Sequence, residues 1–215
     1  MNALKNIVVA TSVLISFSSS AAIVQIDFEG VGDSNPVGNF YNGGAGTNYG
    51  IEFSGSTLGV IDADSGGTGN FANEPSPNTI MFFLDAQNAI LNYAAGFDTG
   101  FSFFYTSSTA ASVNVYDGIN ATGSLLATLA LNAQFTQNCS GDPSGTFCHW
   151  DPIGVLFAGT AKSIDFGGTA NQTGFDDITF GTDDPGPISP IPLPAAGWLL
   201  GTALLGFVSR KSVFR

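Results

Sequence analysis

Between residues 23 and 181, apolar side chains recur at every second position in short runs, and no stretch sustains a helical period. Ile23 to Phe28 alternates, Ile51 to Phe53 and Thr57 to Ile61 are brief, and Thr79 to Leu84 is an unbroken apolar run. Phe97 to Tyr105 sets Phe97, Phe101, Phe103 and Tyr105 at even spacing. Ala111 to Asp117 puts Val113 and Val115 on one face, and Ser124 to Leu131 puts Leu125, Leu129 and Leu131 on one face. Pro152 to Phe157, Ala161 to Phe166 and Gly174 to Phe180 complete the set. Turn residues such as Gly66-Gly67, Asp117-Gly118 and Gly167-Gly168 separate these segments. About ten short strands with such punctuation predict an all-β fold of two packed antiparallel sheets, a jelly-roll-like β-sandwich. Most of the nineteen phenylalanines fall on alternating positions, where inward-facing strand residues form a core. A sugar-stacking platform is the functional alternative for some of them.

The two ends follow other patterns. Lys5 precedes an apolar stretch from Asn6 to Phe17, and small residues at Ser20 and Ala22 suit signal-peptidase cleavage after Ala22, so residues 1–22 are expected to be a signal peptide. At the other end, residues 182–194 hold prolines too densely for a helix interior or a central strand, which predicts an extended spacer. Residues 195–209 are uncharged and mostly apolar, and Arg210, Lys211 and Arg215 follow in a basic tail spanning 210–215. As a helix those fifteen residues cover about 22 Å, short of the roughly 30 Å of a bilayer core, a gap narrowed by counting back to Ile191. The positive tail is expected in the cytoplasm and the β domain outside.

Charge sharpens this picture. All seventeen acidic residues lie between Asp27 and Asp184, where Lys162 is the single basic residue, so the exported part carries a net charge of −16. Such a surface repels nucleic acid and anionic lipid, and it attracts divalent cations. Cys139 and Cys148 fall in this exported part around a short Gly-, Pro- and Ser-containing loop, and a disulfide between them would contribute about 2–3 kcal/mol. Zinc is the rival reading, but two thiols and His149 leave a four-ligand site incomplete without a carboxylate.

The run Ile191 to Leu200, containing Pro192-Leu193-Pro194 and followed by a glycine-bearing apolar helix and Arg210-Lys211, resembles the PEP-CTERM sorting signal in its Pro-Leu-Pro-Ala variant. The resemblance covers about the last 25 residues. It implies processing by an exosortase, a membrane-embedded transpeptidase acting near the proline motif, in bacteria that make exopolysaccharide and biofilm. Leu193 stands where the founding pattern has Glu, and Ser212-Val213-Phe214 dilute the usual arginine run.

A looser resemblance touches the domain's beginning and end. Ile26-Asp27-Phe28-Glu29-Gly30, Tyr49 to Phe53 and Gly174 to Gly181 are similar to exported bacterial jelly-roll domains related to carbohydrate-binding modules. In such domains the first and last strands adjoin and a structural calcium sits between their acidic residues. The resemblance thereby nominates Asp27, Glu29, Asp176 and Asp177, with one of the adjacent aspartates expected to bind, since neighbours in a strand face opposite ways. Asp62-Ala63-Asp64-Ser65-Gly66-Gly67 lacks the bidentate Glu of an EF-hand and reads as a turn.

No nucleophile elbow, phosphate loop or His-Glu-x-x-His occurs, and His149 is the single histidine. No catalytic residue is nominated. The expected function is that of a non-catalytic surface or matrix protein binding exopolysaccharide; a secreted glycan hydrolase on the same scaffold is the alternative, and a structural matrix filler a third.

Overall fold

The computed structural model describes residues 23–137 and 145–186. The signal segment 1–22, Cys139, and the chain from 187 onward, with Pro192, Leu193, Pro194, Arg210 and Lys211, lie outside the described residues. Among the described residues no helix is long and apolar enough to cross a membrane.

Eleven strands form two antiparallel sheets. They are β1 (Val24–Ile26), β2 (Ile51–Phe53), β3 (Thr57–Ile61), β4 (Thr79–Phe83), β5 (Asn88–Phe97), β6 (Gly100–Ser107), β7 (Ala111–Tyr116), β8 (Leu125–Leu131), β9 (Asp151–Leu156), β10 (Ala161–Gly167) and β11 (Thr173–Phe180). The larger sheet runs β3-β4-β11-β6-β9, with β1 added against β11, and the smaller runs β2-β5-β10-β7-β8. From β4 onward the orders β4-β11-β6-β9 and β5-β10-β7-β8 follow the two-Greek-key winding of a jelly roll. The Asp62–Gly67 stretch is a turn as expected: Asp62 caps the backbone N–H of Asp64 at a single 3₁₀ turn, and Gly66 closes it at φ 89°.

The core lies between the sheets and is built largely from phenylalanine. Phe101, Phe103, Phe175 and Phe180 of the larger sheet and Phe166 of the smaller are fully buried. Phe166 meets Phe175 edge-on at 4.9 Å, and Phe97 meets Phe180 edge-on at 4.9 Å. These edge-to-face contacts tie one sheet to the other, each contributing about 0.5–1.5 kcal/mol beyond burial.

Two strand expectations need correction. Phe97 ends β5 instead of opening β6: Asp98 and Thr99 form a corner, with Thr99 at φ 75°, that carries the chain from the smaller sheet to the larger. Leu125 does not share a face with Leu129 and Leu131. The ladder shifts between Val115, opposite Ala127, and Tyr116, opposite Leu125, which leaves Leu126 bulged and Leu125 55 % exposed.

The strand β11 organises the region of interest. On one side it pairs with β6 throughout, broken by a bulge between Asp176 and Thr179. On the other side it is shared: Phe175 pairs with Met81 of β4, whereas Ile178 to Phe180 pair with β1. The acidic pair Asp176-Asp177 therefore sits where β1 and β4 divide the same edge.

Candidate functional site

The four residues nominated for calcium gather around this junction, but their roles differ. Asp27 follows β1 and is exposed. Phe28 takes φ 60° and turns its ring fully into the core, where it meets Phe53 and Tyr41 edge-on. Glu29 then reaches across to the start of β4, where its Oε1 accepts hydrogen bonds from the backbone N–H groups of Asn78 (2.8 Å) and Thr79 (2.7 Å), and its Oε2 accepts from the Thr79 hydroxyl (3.3 Å).

Asp176 is wholly buried. Its carboxylate accepts from the Ser76 backbone N–H (2.8 Å), the Ser76 hydroxyl (2.9 Å) and the Asp177 N–H (2.8 Å). Burial outweighs those bonds and pushes its carboxyl well above the usual range. Asp177 takes φ 49°, half-buried, and is pushed up to about 6 by desolvation and then by the charge of Asp27. At this bulge the strand is not regular, and the two aspartates differ in burial: Asp176 is wholly buried, whereas Asp177 is half-buried and feels the charge of Asp27. Among the described residues no group of three or more acidic, His or Cys side chains is placed to hold a metal ion. Glu29 and Asp176 are engaged by backbone and hydroxyl donors, and Asp27 Oδ1 accepts from the Glu29 N–H at 3.2 Å while its charge acts on Asp177.

Glu29 and Asp176 serve instead as staples for the loop joining β3 to β4, residues 62–78. Asp33 adds a third: its Oδ1 accepts from the N–H groups of Ile61 (3.0 Å) and Thr68 (3.2 Å), and its Oδ2 from the Thr68 hydroxyl (2.9 Å). Burial is the largest single influence and raises the Asp33 carboxyl, but these bonds together outweigh it and hold it below the usual range. Held this way, the loop folds back over the outer face of the larger sheet. There it pairs with a second segment: Asn70 O accepts from Thr146 N (2.7 Å) and Phe147 N (3.1 Å), and Ala72 N donates to Phe147 O (3.0 Å). The Trp150 indole N–H donates to Ala72 O (3.0 Å) and locks the flap down.

Beneath the flap is a groove of about 270 Å³. Val60 and Ile80 close its floor, and Phe71, Phe82, Leu84 and Phe147 form its walls. Ser34, Thr68, Asn70, Asn171 and Thr173 supply the polar lining, and among the described residues no charged side chain contributes. Ser34 (φ 55°) and Asn171 (φ 57°) are both in the left-handed region, so two of the backbone's unusual conformations lie on this groove. Asn70 and Asn171 are both exposed.

The groove was not anticipated as a site, though one sequence signal pointed toward it. The unbroken apolar run from Thr79 to Leu84 marks a strand covered on both faces: Met81 and Phe83 enter the main core, while Ile80, Phe82 and Leu84 face the flap. A second open groove, beside the acidic junction, is lined by Asp27, Glu29, Tyr41 and Tyr49. Two carboxylates therefore line it, Asp27 and Glu29, of which Glu29 is engaged by the N–H groups of Asn78 and Thr79. His149 lies beside Asp151, Nε2 to Oδ1 3.0 Å, outside both grooves. Cys148 is buried, and no described cysteine is free.

No protein-family model matches the chain, and no curated protein does. Among solved structures it is similar to a family 6 carbohydrate-binding module, at 14 % identity and TM-score 0.39, covering 75 % of this chain and 93 % of that one. It is similar too to the K1 cleaved adhesin domain of Lys-gingipain from Porphyromonas gingivalis W83, at 13 % identity and TM-score 0.46, covering 74 % and 98 %. A third likeness is to an arabinoxylan arabinofuranohydrolase of glycoside hydrolase family 43 from Bacillus subtilis, at 18 % identity and TM-score 0.38, covering 59 % of this chain and 24 % of that one. The likeness ends at the layout of strands.

Proposed function

We propose that this protein is an exported, non-catalytic domain that binds exopolysaccharide at the cell surface or in the extracellular matrix. The observation that carries the reading is the uncharged groove under the flap, whose apolar floor and amide- and hydroxyl-bearing rim match the two surfaces a sugar presents, its C–H faces and its hydroxyls. Among the described residues no carboxylate lines it, which favours binding over hydrolysis.

Export and sorting belong to the same reading. Signal peptidase removes residues 1–22, the helix at 195–209 with Arg210 and Lys211 holds the chain in the inner membrane, and an exosortase acts near Pro192-Leu193-Pro194. A Cys139–Cys148 disulfide, permitted outside the cytoplasm, fixes the segment that supplies Phe147 to the groove. Calcium, where bound, is held by Asp27 and Asp177, the two carboxylates at the junction that act on each other through charge, with oxygens of the surrounding backbone.

Affinity electrophoresis tests the binding step. Migration of the protein should be retarded by the producer's own exopolysaccharide, and Leu84→Asp, a change at a 44 % exposed position of the groove wall, should weaken retardation at least about tenfold. Unretarded migration in every polymer, including the native one, sinks the proposal.

A further inference from the structure

Strands β1, β2, β3, β8 and β9 each pair on one side only, and four of them are guarded on the other. The loop before β2 covers its edge, with the Ile51 and Phe53 N–H groups donating to Tyr41 O and Gly38 O. The edge of β3 is covered likewise: Val37 N–H donates to Thr57 O, and Gly59 N–H to Asn35 O. β1 is three residues long, and β9 carries Asp151 and Pro152. Covering, shortness, charge and proline are the devices by which a sheet avoids pairing with another chain. β8 has none of them. It runs seven residues, Leu125 to Leu131, pairs with β7 alone, and contains no proline or charge. Among the described residues no backbone hydrogen bond reaches its outer side.

Exposed apolar side chains continue this edge. Ile119, in the turn before β8, is 48 % exposed and Leu125 is 55 % exposed; Leu156, at the end of β9, is 59 % exposed. β8 lies against β9, and Leu126 comes within 3.8 Å of where a Cβ of Gly159 would sit, so the end of β9 adjoins the start of β8. An apolar patch continuous with an open strand edge marks an interaction surface. Charge selects what covers it. The exported part carries −16, yet no charged residue occurs from Gly118 to Gln137. An anionic partner is repelled by the domain, and a cationic one finds no carboxylate on β8 to hold it. A neutral, apolar strand fits, and β8 is itself one.

We infer that β8 pairs antiparallel with β8 of a second copy, joining the two smaller sheets across a two-fold axis. Every cross-strand pair in that contact is uncharged, and the two domains meet without setting carboxylate against carboxylate. β8 and β9 border one side of the sandwich, whereas β3, which supplies Val60 to the flap groove, borders the other. The pair therefore leaves both grooves uncovered. Resting on the glycan-binding reading, such a dimer links two polymer chains.

Sedimentation velocity of the mature protein, without glycan, tests the pairing. A seven-residue ladder is small beside the roughly 1,200 Å² of a stable interface, so the average mass should rise toward twice the monomer between about 5 and 500 µM. Raising NaCl from about 0.05 to 0.5 M should tighten the dimer at least about threefold, by screening the repulsion between domains. Ala130→Glu, at an exposed position of β8, should weaken it at least about fivefold, and Leu125→Gln at least about threefold. Thr169→Glu adds the same charge at an exposed position away from β8 and should change it less than about twofold. A monomer at every concentration overturns the inference. So does a dimer that Ala130→Glu and Leu125→Gln leave intact, or one that Thr169→Glu weakens as much as Ala130→Glu. Retardation by the native exopolysaccharide is read separately: a dimer that binds no polymer defeats the glycan-binding reading alone, and a monomer that binds it defeats the pairing alone.

Discussion

At the scale of single residues, the acidic junction makes a pH-dependent contribution to stability. Desolvation, aided by the charge of Asp27, raises Asp177 to about 6, and burial raises Asp176 further, so the folded state favours the protonated carboxyls. The native protein therefore holds protons that the unfolded chain would release. The stabilisation is full below the ordinary aspartate range near 4 and is lost as pH rises through about 6 for Asp177. In chelator, melting temperature should fall between pH 5 and pH 8. Asp177→Asn removes the charge, and asparagine suits φ 49° at least as well as aspartate. At pH 7.5 this variant should gain about 1–2 kcal/mol, or roughly 3–6 °C in Tm, and lose much of the pH slope. Calcium should stabilise the wild type at pH 7.5 and leave Asp177→Asn nearly unmoved. A pH slope unchanged in Asp177→Asn removes Asp177 as its origin, and equal calcium stabilisation of both proteins removes it as a ligand.

At the scale of elements, nine of the strands stand close to where the apolar pattern places them, because each turns at least one face to the core between the sheets, and β4 is covered on the other face as well. The others failed for physical reasons. Asn88–Phe97 carries asparagine, alanine and glycine, residues of low strand propensity, yet it pairs with both β2 and β10 near the middle of its sheet, where long-range pairing overrides propensity. The even spacing of Phe97 with Phe101 suggested one continuous strand. The two residues belong to different sheets but both face the shared interior, which preserves the spacing across the corner. The junction's residues were nominated together by resemblance, whereas the part Glu29 and Asp176 play as loop staples depends on Ser76, Asn78 and Thr79, fifty to a hundred positions away from their partners. The groove's flap, built from 68–71 and 146–147, has no local signature.

Glycine supplies a second element-scale prediction. After β11 the chain turns at Gly181 and lies over β6 and β9. A side chain at Gly154 would place its Cβ 2.1 Å from Asp183 O, and one at Gly100 would come within 2.7 Å of Thr182. Gly154→Val should thus cost about 1–3 kcal/mol in a urea melt of a chain ending at Gly186. The same change in a chain ending at Gly181 should cost appreciably less, because the segment it displaces is gone. Equal costs in the two backgrounds refute the close packing as the cause.

At the scale of the whole molecule, the placement of the groove and of the chain exit bears on how an anchored form would work. Thr173 at the start of β11 lines the groove, while Phe180 at its end leads into the exit segment, seven residues or about 23 Å along the strand. The exit is fixed beside β1, where the Gln25 side-chain amide donates to Pro185 O at 3.1 Å. A tether that continues from Pro185 therefore leaves from the end of the sheet remote from the groove, and a polymer can reach the groove while the tail is still held. Expressed in a host with an exosortase system, the full chain should fractionate with the envelope and bind the native exopolysaccharide. A chain ending at Gly186 should appear in the medium and bind the same polymer with a Kd within about twofold, since tethering adds no contact at the groove. Retention of the shortened chain in the envelope would rule out the tail as the anchor. Failure of the anchored form alone to bind would show that the groove faces the membrane, contrary to the placement of the exit.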